Sequence, residues 1–296
     1  MKPGRKPPSQ FQIGLTCRSR SGFTILELLV TMGIIGVLVA VILPAVQMAR
    51  ESARCLQCQS QLKQIGVALY NYSDTNNCFP AGWRTDSRNH SALGWASAIL
   101  PQLDQGPLFN RIRQSPTIDR TDLTDVRSTF LPIFNCPSDV ALHQFSLYAE
   151  SEEHEANGVE SEEILTILPS GNYVGVFGSL DPDAQPNKLG DGVFMGQRPL
   201  RMNDIQGGFS QTLLVGERTA SKLPSTWLGF LLEGEDASAR VVGFADKGPN
   251  HEEADECQFS SRHPDCANFL WADGHVAPLS RSVDSALYRS FARRSR

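Results

Sequence analysis

A run of 22 uncharged residues from Leu28 to Ala49 is the feature that most constrains this 296-residue chain. About 20 consecutive apolar residues of helix cross the hydrocarbon core of a bilayer, so the run predicts a membrane-spanning helix. Glu27 stands directly before it, where an ionised carboxylate costs roughly 2.5 kcal/mol or more unless another group compensates its charge. The sequence therefore calls for both a membrane and a partner for Glu27.

The charges on either side of the run predict its orientation. Arg50 and Arg54 follow it, with Glu51 between them. Residues 1–22 contain no acidic side chain but five basic ones, Lys2, Arg5, Lys6, Arg18 and Arg20. Because basic segments stay on the cytoplasmic side of a membrane, we expect a cytoplasmic N-terminus and a C-terminal part outside the cytoplasm.

Three ordinary interpretations of this N-terminus leave something unexplained. A secretory signal has an apolar region of about 7–15 residues before a small-residue cleavage site. This run is longer and is followed by QMARESARC. A lipoprotein signal at Cys17 needs an apolar region before the cysteine, and FQIGL is too short. A plain signal anchor fits the length but leaves Glu27 without a partner.

The stretch GFTILE, from Gly22 to Glu27, resembles the type IV prepilin signal. In that family a basic leader ends in Gly, the following Phe becomes the new N-terminus, and Glu is the fifth mature residue. The resemblance implies that a prepilin peptidase cuts after Gly22 and methylates the amine of Phe23. It also implies that the Glu27 carboxylate meets the N-terminal amine of a neighbouring subunit, which supplies the counter-charge.

The helix is predicted to continue beyond the membrane. Apolar residues recur at three- and four-residue spacing as far as Tyr72, and the first helix breakers stand in NNCFPAGW. Pro44 removes one hydrogen bond within the helix, so we expect a kink there. The predicted divisions are a removed leader (1–22), a transmembrane and amphipathic helix (23–75) and an extracytoplasmic domain (76–296).

The extracytoplasmic domain is predicted to be α+β, with an antiparallel sheet packed on the exposed half of the long helix. Asp273-Gly274 between two apolar halves predicts a hairpin turn. Helices are expected in LGWASAILPQLDQGPLFNRI and SVDSALYRSFARR. Strands are expected in the short apolar segments NYVGVFGS, GVFMG, QTLLVGER, RVVGFA and ANFLWADGHVAPL.

The same segments resemble a widespread bacterial family. Its members combine a prepilin-type leader with a domain of unknown function and are related to the major pseudopilin of type II secretion. The resemblance is carried by ARCLQCQSQLKQIGVALYNYSDTNNCFPAGW, WASAILPQLDQGPLF, FNCPSD, NYVGVFGS, DGVF, LLVGERTA and SRHPDCANFLWADGHV. The motif of that family is His, nine residues, then Asp-Gly, which corresponds here to His263, Asp273 and Gly274.

Two groups of potential metal ligands were weighed against simpler structures. His263, Asp273 and His275 carry donor groups that transition metals accept. The favoured interpretation is a tight turn at Asp273-Gly274, with His263 hydrogen-bonded to backbone. The loop DPDAQPNKLGDG lacks the EF-hand spacing, so a solvated loop is favoured over a calcium site at Asp181, Asp183 and Asp191. The sequence predicts no metal and no cofactor.

Catalysis and nucleic-acid binding are both disfavoured. The sequence has no G-x-S-x-G, H-E-x-x-H, P-loop or dinucleotide motif, and Glu217 and Arg218 are expected to form a structural ion pair. Loss of the five basic leader residues leaves 22 basic against 32 acidic residues, a net charge of −10. Such a charge disfavours nucleic acid, and no nucleic-acid partner is expected. The glutamate-rich stretch from Glu150 to Glu163 predicts a surface insertion.

Six cysteines follow the leader, an even number that suits disulfides outside the cytoplasm but allows 15 pairings. They are Cys55, Cys58, Cys78, Cys136, Cys257 and Cys266. Zinc at the C-x-x-C of Cys55 and Cys58 would need two further ligands. The family resemblance implies a Cys58–Cys136 bond, because these two positions are shared; Cys55–Cys78 and Cys257–Cys266 would then be the remaining pairs.

Two function classes follow from these features. The first is a pseudopilin-like structural subunit of the inner membrane, single-pass, whose partners are the membrane, a prepilin peptidase and pilin-like subunits. The second is a membrane-tethered module that binds polysaccharide or protein. Its surface could be lined by four tryptophans, although core positions are favoured for them: Trp83, Trp95, Trp227 and Trp271. An enzyme is not expected.

Overall fold

A computed structural model describes residues 22–115, 117–140, 143–150, 163–183 and 189–295. The leader up to residue 21, Cys17 within it, and most of the glutamate-rich stretch lie outside the described residues. The chain divides into two compact units, Met1–Ala49 and Arg50–Arg296. The predicted end of the long helix at residue 75 lies one residue before its observed end at Asn76.

The predicted long helix is present as α1, Ile25–Asn76. Among the described residues it is the one helix long and apolar enough to cross a membrane, and its most apolar 18-residue window has a mean hydropathy of 2.7. Asn77, with φ of 59°, takes the left-handed conformation that ends helices. The helix is continuous through Pro44, and the kink expected there stays a prediction.

The second unit contains ten strands and four further helices in its described residues. The helices are α2 (Trp95–Ala98), α3 (Gly106–Gln114), α4 (Thr124–Arg127) and α5 (Ser285–Ala292). The strands are β1 (Trp83–Thr85), β2 (Ser91–Gly94), β3 (Gln144–Tyr148), β4 (Ile164–Pro169), β5 (Tyr173–Gly178), β6 (Leu213–Glu217), β7 (Gly229–Leu231), β8 (Val242–Phe244), β9 (Cys266–Trp271) and β10 (Val276–Ser280).

The largest sheet has five strands in the order β10-β9-β6-β5-β8. Its first four strands pair antiparallel, and β8 joins β5 in parallel at one edge. Two smaller sheets have the orders β1-β2-β7 and β3-β4, and both are antiparallel. The predicted α+β class is confirmed.

Side chains alternate across β9, and this alternation places a helix on each face of the five-stranded sheet. Leu270 belongs to the same apolar cluster as Leu62 and Ile65 of α1, and a Cβ on Gly66 of α1 would meet its Cδ1 at 2.9 Å. Phe269, on the opposite face, packs edge-on against Tyr288 of α5. The second half of α1 is therefore one layer of the domain.

Most of the predicted elements are present. The hairpin β9–β10 turns at Asp273-Gly274, and Gly274 has the positive φ of 82° that this turn requires. The prediction of a strand in GVFMG is wrong. That segment is irregular and reaches β5 through two backbone hydrogen bonds, Gly192 to Phe177 and Phe194 to Val176. Closely spaced glycines explain this, since Gly weakens a strand.

Candidate functional site

The residues around the predicted cleavage point lie at the exposed start of α1. Gly22 and Phe23 precede the helix, and the Phe23 side chain is 73% exposed. The Thr24 backbone N–H and hydroxyl donate to Glu27 Oε2 at 2.9 and 2.7 Å, and the Glu27 backbone N–H donates to the Thr24 hydroxyl at 3.3 Å. This reciprocal pair is a capping box, which the Thr-x-x-Glu spacing encodes and which the sequence analysis overlooked.

A second group of polar residues, all buried except the partly exposed Glu51, lies where α1 meets the five-stranded sheet. It consists of one disulfide, one histidine and two glutamates, with Asn268 beside them, and is called the His263 cluster below. Its members are Glu51, Cys58, Cys136, Glu217, His263 and Asn268.

The disulfide joins Cys58 of α1 to Cys136, 78 residues further along the chain. Cys136 follows the short 3-10 turn Pro132–Phe134, and its backbone N–H donates to Asn172 Oδ1 at 2.9 Å. The pairing implied by the family resemblance is therefore confirmed, and it ties α1 covalently to the domain.

His263 lies in the loop before β9 with 2% of its surface exposed. Its Nδ1 is 2.7 Å from Glu51 Oε1, its Nε2 is 3.5 Å from Glu217 Oε1, and Cys136 Sγ is 3.4 Å from Nε2. The expectation that His263 bonds backbone is wrong. Burial opposes a charge on the ring, but Glu217 and Glu51 outweigh it and raise the pKa of His263 above its ordinary value.

Glu51 reaches the cluster from α1. Burial alone would raise its pKa, but hydrogen bonds from His263, Arg54 and Ser138 lower the pKa of Glu51 below the usual range. Glu51 and Cys58 are seven residues apart, two helical turns, so they share a face of α1. That spacing was the one available sign of Glu51 in the sequence.

Glu217 and Arg218 do not form the expected ion pair, because successive residues at the end of β6 point to opposite sides. Glu217, 2% exposed, accepts hydrogen bonds from the backbone and side-chain nitrogens of Asn268 at 2.9 and 3.1 Å. Arg218 donates to Ser225 and to three backbone carbonyls, those of Ala239, Val242 and Cys257. Burial lowers the pKa of Arg218 to about 10.

His263, Asp273 and His275, the residues of the disfavoured metal interpretation, are not brought together, and the favoured tight turn is present at Asp273-Gly274. Asp273 accepts from the backbone N–H of His275 and contacts its ring within the turn, while His263 contacts the two glutamates. The turn is docked on α1, since the Lys63 ammonium donates to the Gly274 carbonyl.

The two other proposed disulfides are absent, and Cys55, Cys78, Cys257 and Cys266 are free thiols. Cys55 and Cys78 are separated by the last six turns of α1, roughly 30 Å, whereas a disulfide needs Cα atoms within about 7 Å. Cys257 Sγ faces the carboxylates of Asp183 and Asp236 at 3.5 and 3.7 Å.

The acidic loop predicted as solvated is partly buried. Burial and the neighbouring Asp236 raise the pKa of Asp183 to about 7. Asp191 accepts hydrogen bonds from Ser179 and from Arg293. Residues 184–188 of this loop lie outside the described residues.

The core positions favoured for the tryptophans are confirmed, so they do not line a binding surface. The four tryptophans are all at most 9% exposed and belong to the core: Trp83, Trp95, Trp227 and Trp271. A cavity of ≈ 220 Å³ lies beside Asp139, Phe145 and Arg262. Ligand pockets are usually about 300–1,000 Å³, so this cavity is small for one.

Comparison with known proteins finds matches for the N-terminal segment and for the rest of the chain. Residues 17–43 match the prokaryotic N-terminal methylation motif. A 64-residue stretch is 33% identical to the type II secretion system core protein G of Pseudomonas aeruginosa, and it covers 22% of this chain and 45% of that relative, less than half its length. No solved structure matches the chain. Residues 47–286 match the family described as protein of unknown function (DUF1559), and the chain belongs to that family.

Proposed function

We propose that this chain is a pseudopilin-like structural subunit. A prepilin peptidase removes residues 1–22 and methylates the amine of Phe23, and the mature chain stays in the inner membrane through α1. It then assembles with pilin-like subunits, either copies of itself or related chains, into a secretion-linked filament. The observation that carries the proposal is the methylation motif at the exposed start of a helix long enough to cross a membrane.

The 64-residue similarity to a core protein of type II secretion supports the same role. The basic leader supports a cytoplasmic N-terminus and a domain outside the cytoplasm. The buried Cys58–Cys136 disulfide fits that location, because disulfides persist in oxidising compartments.

The proposed role is not catalytic. Among the described residues, the larger cluster of titratable groups in mutual contact surrounds His263, which is only 2% exposed, and a smaller one joins Asp183 and Asp236 to the buried Cys257. A general acid or base must reach its substrate within hydrogen-bond distance, and a buried ring at the helix–sheet junction offers no such access.

Processing is tested with Gly22→Ala, compared with Gly33→Ala as a matched control. Both glycines have open space where a Cβ would be added, and both lie in the N-terminal unit. In cells with a prepilin peptidase we expect the wild type and Gly33→Ala to begin at methylated Phe23. Gly22→Ala should keep its leader. The proposal would be refuted by wild-type protein that begins at Met1. It would also be refuted if the Gly22→Ala variant had the same mass as the processed wild type.

Assembly is tested by separating the charge of Glu27 from its capping role. Glu27→Gln keeps a side chain that can complete a capping box but removes the carboxylate, whereas Thr24→Ala removes the cap and keeps the charge. We expect processed Glu27→Gln to be lost from cross-linked assemblies in membranes, and Thr24→Ala to remain in them. The opposite result would assign Glu27 to helix capping alone.

A further inference from the structure

The four groups at the centre of the His263 cluster are of the kinds that zinc binds. Cys58, Cys136, Glu217 and His263 each offer one ligand atom, all four residues are buried, and these atoms lie within 4.8 Å of one another. They come from α1, the segment after the Pro132–Phe134 turn, the end of β6 and the loop before β9. Thiolate, imidazole and carboxylate are the common zinc ligands, and four of them complete a structural site.

We propose that, when Cys58 and Cys136 are reduced, their two thiolates bind Zn²⁺ together with His263 Nε2 and a Glu217 carboxylate oxygen. The site and the disulfide exclude each other, because both use the same two sulfur atoms. The chain would then have two cross-linked states at one position, one closed by a metal ion and one by a covalent bond.

The distances already present match a tetrahedral zinc site. Cys136 Sγ lies 3.4 Å from His263 Nε2, and that nitrogen lies 3.5 Å from Glu217 Oε1. Around zinc, with bonds of about 2.3 Å to sulfur and 2.0–2.1 Å to nitrogen or oxygen, neighbouring ligands lie roughly 3.3–3.5 Å apart. The two sulfurs need to separate to roughly 3.8 Å when they are no longer bonded.

The groups behind the ligands are also arranged as in metal sites. Zinc-binding histidines usually donate their other ring N–H to a carboxylate, which fixes the tautomer and ring orientation. Here Glu51 Oε1 lies 2.7 Å from His263 Nδ1 and is itself held by the Ser138 hydroxyl at 3.0 Å. Asn268 orients the Glu217 carboxylate, because its backbone N–H donates to Oε2 at 2.9 Å and its side-chain amide donates to Oε1 at 3.1 Å.

Protons and electrons are conserved when the zinc-bound state is exchanged for the disulfide state. Zn²⁺ displaces the two thiol protons and any proton on Nε2. Formation of the disulfide then joins the two thiolate sulfurs, passes two electrons to a disulfide oxidant, and releases Zn²⁺. The oxidant takes up two protons from solvent and becomes two thiols.

The first experiment titrates the full-length protein, in detergent and reduced with a phosphine, with Co²⁺ as an optical substitute for zinc. We expect one equivalent to bind with thiolate-to-cobalt charge-transfer absorption and the intense visible bands of tetrahedral cobalt. Zn²⁺ should displace it, and oxidised glutathione should release it as the Cys58–Cys136 bond forms. Failure of the reduced wild type to bind one equivalent overturns the proposal.

Variants assign the ligands. Cys136→Ser and His263→Ala should each weaken binding at least tenfold, while Cys55→Ser, which changes the other half of the C-x-x-C, should leave it unchanged. Glu51→Gln should weaken binding about 10–100-fold while the cobalt spectrum stays tetrahedral. Binding that depends on Cys55 and not on Cys136 refutes the assignment.

A measurement on wild-type protein avoids any effect of the variants on folding. Reduced protein is treated with an alkylating reagent with and without one equivalent of Zn²⁺, and modified peptides are counted by mass spectrometry. Zinc should slow alkylation of Cys58 and Cys136 at least tenfold and leave that of Cys78 unchanged. Equal rates with and without zinc would contradict the proposal.

Discussion

Loss of the Cys58–Cys136 bond is predicted to be the most damaging single covalent change in the domain. The bond spans 78 residues of sequence. In the loop-entropy relation a loop of that length restricts the unfolded chain by about 4.5 kcal/mol at 25 °C. Because typical domains are stable by about 5–15 kcal/mol, removing the bond should take away a large share of the free energy of unfolding.

Replacing either cysteine, or both, should lower the free energy of unfolding by the same amount. Cys58→Ala, Cys136→Ala and the double variant should each lose about the same 4.5 kcal/mol, since any one change removes the whole cross-link. The control is Cys55→Ala combined with Cys78→Ala, which alters two free thiols and should cost less than about 1 kcal/mol.

The assay is denaturant unfolding of the oxidised full-length protein, followed by the fluorescence of its buried tryptophans. Each variant is compared with the wild type at the same detergent concentration. The reasoning fails if the double variant is within about 1 kcal/mol of the wild type, or if the losses of the two single variants add in the double variant.

Two further changes test the site and the sheet. The raised pKa of His263 stabilises the oxidised fold fully below its unfolded pKa of about 6.5, and that stabilisation is lost as pH rises through the folded pKa. The free-energy difference between wild type and His263→Gln should therefore shrink as pH rises above about 6.5 and through the folded pKa, and a constant difference contradicts the ion pairs. Gly229→Ala places a Cβ against the carbonyl of Ala92, across the β2–β7 ladder, at a φ of 155°. It should lower the free energy of unfolding by about 3 kcal/mol, while Gly106→Ala, with open space at its Cβ, should lower it by less than about 0.5 kcal/mol. Equal thermal unfolding midpoints for these two variants would refute the clash.

Local features of the chain were predictable because their causes lie close together in sequence. The uncharged run and the apolar spacing beyond it predicted α1, and Asp273-Gly274 predicted the turn of the β9–β10 hairpin. Hydrophobic period and turn chemistry act over a few residues, so they can be recognised without the fold. The segment GVFMG shows the limit, because its glycines lower the strand tendency of apolar neighbours.

The His263 cluster was not predictable, since its members are brought together by the fold. His263 is 212 residues from Glu51 in sequence, and no local pattern relates them. The neighbours Glu217 and Arg218 were paired by their adjacency, yet strand alternation sends one toward α1 and the other toward backbone carbonyls. Even the Cys58–Cys136 bond was expected from family resemblance and not from spacing.

The position of the cluster explains why polar groups are retained beside the apolar contacts of this junction. Leu62 and Ile65 attach α1 to the sheet by apolar contact, which is not directional and tolerates sliding. The cluster adds hydrogen bonds of fixed geometry at Glu51 and one covalent bond at Cys58, in the first and third turns of the domain's part of the helix. A subunit held in an assembly through its helix needs its domain to keep one position along that helix. The disulfide and the hydrogen bonds of the His263 cluster fix this position, which apolar packing alone does not.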